Sequence, residues 1–182
     1  CSEEQLSKVA CPAESQVGVI YTSSALAGPF YSLDRLYNMV PPANSPGMLG
    51  FEAVSIAGAG IFVHLEGSLR SESDFGITGS LEDVLGFPRN PVLGGTAQLW
   101  GDPSSENHDQ IRGVCGLEND CPVEAQKVVA MTMPSQCSGP ITTVTSADSW
   151  EEINVFHTRS VISTDTGGTT AGYAPCATNG AL

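Results

Sequence analysis

Between Ile61 and Arg70 the chain alternates. Ile61, Val63, Leu65 and Leu69 are apolar, whereas His64, Glu66, Ser68 and Arg70 are polar. A period of two sends successive side chains to opposite faces of an extended strand, a pattern that a helix with 3.6 residues per turn cannot use. The polar run Ser71-Glu72-Ser73-Asp74 then makes a turn, and Phe75, Ile77 and Leu81 resume the alternation. The pattern predicts a hairpin in which Ile61, Val63, Leu65, Leu69, Phe75, Ile77 and Leu81 face one core. His64 falls on the polar side, where a histidine is solvated.

Further strands are predicted at Val17–Thr22, Tyr37–Val40, Leu93–Trp100, Lys127–Met133, Ile141–Thr145 and Ile153–Ile162. Clusters of Gly and Pro separate them, at Pro41-Pro42, Gly86 to Pro91, Gly101-Asp102-Pro103, Met133-Pro134 and Ser138-Gly139-Pro140. Helix is confined to the start. Ser2-Glu3-Glu4-Gln5 reads as a capping box, Leu6, Val9 and Ala10 supply an apolar face, and Cys11-Pro12 stops the segment. The expected class is all-β: an antiparallel sandwich or flattened barrel of about eight or nine strands, with a short N-terminal helix.

The chain has 182 residues and six cysteines. An even count in a turn-rich, acidic chain points to disulfides and an oxidising compartment. Six cysteines allow fifteen pairings. Nearest neighbours give Cys1–Cys11, Cys115–Cys121 and Cys137–Cys176, and the last closes the longest loop, worth about 3–4 kcal/mol in the chain-entropy account. The expected organisation is a disulfide-stabilised β domain over residues 1–163, followed by a Gly/Thr-rich tail, 164–182, tied back through Cys176. An opening on Cys1 with no leader before it suggests a processed or excised chain. A lipidated Cys1 would leave an odd number of cysteines and is the weaker reading.

Seven Lys plus Arg face twenty Asp plus Glu, a formal net charge of −13. Such a surface repels phosphate backbones, so nucleic acid is a poor partner. Charges and glycines interrupt every apolar run before membrane-spanning length, so no span is expected.

Catalytic signals are weak. Val161-Ile162 leads to Asp165-Thr166-Gly167, the shape of an aspartic-protease half-site, but that chemistry needs two such carboxylates and the chain holds one triplet. No Gly-x-Ser-x-Gly element occurs, and His64, His108 and His157 are scattered. No Cys-x-x-Cys is present to hold zinc. The run from Asp102 to Asp109 gathers Asp102, Glu106 and Asp109 with Asn107 and His108, hard donors that suit calcium, although an EF-hand's spacing is missing and a solvated loop is the simpler reading. Trp100 and Trp150 stand beside small residues, where an exposed ring would stack on sugar and a buried one would fill a strand end.

Three stretches, Cys11-Pro12-Ala13-Glu14-Ser15-Gln16-Val17-Gly18, Met133-Pro134-Ser135-Gln136-Cys137-Ser138-Gly139-Pro140 and Ala147-Asp148-Ser149-Trp150, resemble uncharacterised β-rich modules of large secreted or surface-attached bacterial repeat proteins. The resemblance implies an extracellular, repeated structural unit and supplies no catalytic residues. The reading at this level is a non-enzymatic structural or assembly module at the cell surface, meeting copies of itself or other surface proteins, with no cofactor required. A glycan- or calcium-dependent adhesion module is the alternative, and a secreted hydrolase comes third.

Overall fold

A computed structural model describes residues 1–24, 31–54, 60–71, 76–82, 92–112, 129–130 and 142–164. The chain divides into two compact units, Cys1–Met131 and Thr132–Leu182, so the expected 1–163 domain spans both. The class is all-β, and every strand pairing among the described residues is antiparallel.

In the first unit, helix α1 (Glu3–Ser7) precedes strands β1 (Gln16–Ser24), β2 (Tyr31–Met39), β3 (Met48–Val54), β4 (Gly60–Leu69), β5 (Ile77–Ser80) and β6 (Val92–Leu99). Short 3-10 turns lie at Ala13–Ser15 and Glu106–Ile111. The six strands form one sheet in the order β5-β4-β3-β2-β1-β6. The second unit contributes a two-stranded hairpin, β7 (Thr142–Ala147) with β8 (His157–Ile162), whose residues are exposed along both strands. Of the expected strand Lys127–Met133, only residues 129 and 130 are described, and neither is in a strand.

The sheet carries a separate apolar cluster on each face. Leu36, Phe51 and Val63 are buried together, with Ile20, Leu49, Ala53 and Ile61 against them. The register makes this cluster, because Leu49, Phe51 and Ala53 stand opposite Leu65, Val63 and Ile61. Leu6, Tyr37, Met39 and Met48 form the other cluster, joined by Cys1 and Cys11. Here α1 lies on the sheet and inserts Leu6 beside Gly50. A Cβ at Gly50 would meet the Met39 Cγ at 2.9 Å and the Leu6 Cδ2 at 3.1 Å, so the missing side chain makes the helix seat.

The capping box forms as the sequence predicts. Ser2 Oγ accepts from the Gln5 amide, and the Gln5 side chain accepts from the Ser2 amide. The helix stops earlier than expected, at Ser7 rather than at Cys11-Pro12. Ala10 N–H donates to Gln5 O (2.8 Å) and Val9 N–H to Leu6 O (2.9 Å), with Val9 at φ 53°. That bond pair with a left-handed residue is a Schellman ending. It turns Val9 out to 67% exposure and removes it from the apolar face.

The predicted β4–β5 hairpin is present, with Leu69 opposite Ile77 and Glu66 opposite Ser80. Its core assignment needs correction. Val63 is buried and Ile61 and Leu65 are half-buried, but Leu69, Ile77 and Leu81 are exposed, and Phe75 lies outside the described residues. Alternation decides which face a side chain takes, and the far end of this hairpin extends past the part of the sheet that is covered.

Candidate functional site

Two places in the first unit bring together side chains capable of chemistry. The first lies just beyond β6. Trp100, 2% exposed, sits where β6 ends, and its backbone N–H donates to Val17 O, continuing the β1–β6 ladder by one residue. The 3-10 turn brings His108 flat onto the Trp100 indole, with ring centroids 4.4 Å apart and planes within 1°. Arg112 approaches the same indole, its guanidinium carbon 5.1 Å from the ring centroid.

Arg112 is itself buried and held by its neighbours. Its Nε donates to Asp109 Oδ1 at 2.9 Å, and its Nη2 donates to the Pro103 carbonyl and to Ser105 O. Burial, and next the Arg112 cation, hold His108 below the ordinary histidine range, against an upward pull from Asp102 and Asp109. Trp100 Nε1 and Arg112 Nη1 are buried without a hydrogen-bond partner among the described residues.

The three carboxylates read as calcium donors have separate tasks here. Asp102 Oδ1 accepts from the Ser104 amide (3.0 Å) and hydroxyl (2.5 Å), Asp109 is engaged with Arg112, and Glu106 is exposed. Among the described residues no group of three or more His, Cys, Asp or Glu is placed to hold a metal ion. This segment is therefore a small packed knot of ring, cation and carboxylate. Sequence reading placed Trp100 at a strand end but missed its stack with His108, because the 3-10 turn that brings them together has no periodic signature.

The second place is a cleft of about 440 Å³ between α1, β4 and β5. Met48, Phe62, Val63 and Pro42 give it an apolar lining, and Glu3, Glu66, Glu82, His64, Ser68 and Ser80 bring polar groups. His64 is half-buried, with Nε2 out of reach of water and without a partner among the described residues. It stands opposite Gly50, next to the helix seat, so the polar side of β4 is partly covered at this end rather than solvated. Three carboxylates around an apolar cleft favour cations and repel anions.

Of the cysteines, Cys1 and Cys11 are joined, with Cα atoms 5.2 Å apart. Cys1 O accepts from Val40 N–H at 2.9 Å and the Cys1 amine donates to Asn38 O at 2.8 Å, so the bridge ties α1 to the end of β2. Cys115, Cys121, Cys137 and Cys176 lie outside the described residues, as does Asp165-Thr166-Gly167. In the second unit, Trp150 and Phe156 are exposed beside the β7–β8 connection, where Asp148 Oδ2 accepts from the Asn154 amide at 2.7 Å. His157 Nε2 lies 3.7 Å from Glu152 Oε2, both exposed.

No helix among the described residues is long and apolar enough to cross a membrane. Comparison with protein-family models, with curated proteins and with solved structures finds no match.

Proposed function

We propose that the chain is a non-enzymatic, disulfide-stapled β-module of an extracellular or cell-surface assembly, working through contacts of its sheets with copies of itself or with other surface proteins. The observation that carries this reading is the six-stranded sheet, whose order among the described residues ends on β6, a strand with no charged residue from Val92 to Leu99. An exposed, uncharged edge is a ready template for another strand, and most proteins protect such edges with charge or proline. The Cys1–Cys11 bridge fits an oxidising compartment.

A screen of the purified chain on peptide, ester and glycoside substrates should find no turnover. Turnover that His64→Ala, His108→Ala or His157→Ala abolishes would sink the proposal. Trp150, 58% exposed, favours glycan adhesion as a second reading. In that case a glycan array should give binding that Trp150→Ala removes.

A further inference from the structure

We infer that β6 is a self-recognition edge, across which two copies of this chain pair antiparallel about a two-fold axis near Ala97. This deepens the assembly reading above and rests on it.

The ladder's parity shows which backbone groups of β6 face away from β1. Residues paired across the two strands run Gly18 with Leu99, Val19 with Gln98, Ile20 with Ala97 and Thr22 with Gly95. The bond from Trp100 N–H to Val17 O fixes the pair Val17/Trp100 as a hydrogen-bonded one. Because hydrogen-bonded and non-hydrogen-bonded pairs alternate in an antiparallel ladder, Gly94, Thr96 and Gln98 spend their amides and carbonyls on β1. Gly95, Ala97 and Leu99 direct theirs outward. Gly101 has the same outward parity, and its carbonyl accepts from Ala130 N–H at 2.9 Å, which caps that end of the edge. Among the described residues no strand pairs with β6 on that side, and residues 94–99 are all exposed.

The occupant follows from charge and shape. A second copy also carries −13, so self-pairing needs an edge without acid. The sheet's other edge, β5, is only four residues long and lies beside the cleft lined by Glu3, Glu66 and Glu82. Like charge disfavours a second copy there and would favour a basic partner. β6 has eight residues, none of them charged, and Gly94, Gly95 and Ala97 leave space for a neighbouring strand. Antiparallel pairing about one two-fold axis uses the same patch on both copies, so it closes at a dimer.

Sedimentation equilibrium of the full chain over a wide concentration range tests this. The wild type should dimerise. Ala97→Pro removes an outward amide without touching the bonds to β1, and proline is tolerated on an edge strand. Ala97→Lys keeps that amide but places like charges opposite each other across the axis. Each should weaken dimerisation at least about tenfold, a loss on the scale of one hydrogen bond, with an unchanged circular dichroism spectrum. A wild-type monomer at every concentration overturns the inference, as does a dimer that survives both substitutions or an open-ended polymer. None of those outcomes touches the non-enzymatic reading, which fails only on the substrate screen.

Discussion

Arg112 is buried to 1% exposure, and its partner Asp109 keeps 29%. The asymmetry decides which substitution hurts. Asp109→Ala strands a buried guanidinium and should lower stability by roughly 3 kcal/mol, whereas Arg112→Met leaves a carboxylate that water can reach and should lower it less. Urea unfolding of the two variants checks the order, and equal losses would refute it. His108 adds a pH dependence. Its folded value lies below its ordinary one, so the unfolded chain binds the proton more readily. The stability that neutral His108 contributes is present above about pH 6.5, the unperturbed histidine value, and is lost as pH falls toward the folded value. His108→Phe keeps a ring on Trp100 and removes the titration. The stability difference between wild type and this variant should be constant above about pH 6.5 and should shift against the wild type below it. A difference that stays constant down to pH 5 would show that His108 is not coupled to folding in this way.

At the scale of elements, the turn that follows α1 holds a β-branched residue, Val9, in a left-handed conformation that costs about 1–2 kcal/mol relative to the right-handed one. Nothing described packs Val9 in, since it is 67% exposed. Val9→Gly should therefore raise stability by about 1 kcal/mol, read as a higher thermal midpoint; a lower one would mean the Val9 side chain has a partner worth more than the strain. The opposite sign is expected where β1 meets β6. A Cβ at Gly18 would collide with the backbone carbonyl of Gln98, which cannot move without breaking the ladder. Gly18→Ala should lower stability by roughly 2–3 kcal/mol, and amide exchange should then quicken along β6 before it does along β3. Among the strands, β4 was legible because one of its faces meets a core and the other does not at most positions. β3 was not, although it lies at the sheet's centre. Met48 is buried under α1 while Leu49 and Phe51 pack on the opposite face, and a strand covered on both sides loses the alternation that marks it in sequence.

For the whole molecule, a net charge of −13 opposes compactness. Raising ionic strength from a few millimolar to physiological should raise the thermal midpoint as the Debye length falls to about 8 Å; a midpoint that falls with salt would mean attractive pairs outweigh the repulsion. The β class, the capping box at Ser2, the Cys1–Cys11 bridge and the β4–β5 hairpin were all readable from the chain, because each depends on residues within about twenty positions of one another. Local spacing carries that information: a period of two, a cap three residues from its partner, a short loop between thiols. Other features depend on contacts between distant segments. That Leu69, Ile77 and Leu81 stay exposed, that His64 lies partly beneath a helix, that His108 lies flat on Trp100 and that β5 and β6 end the sheet were decided by strand order and by what covers each face. Periodicity assigns a side chain to a face, and only the tertiary structure determines whether that face meets another element or water.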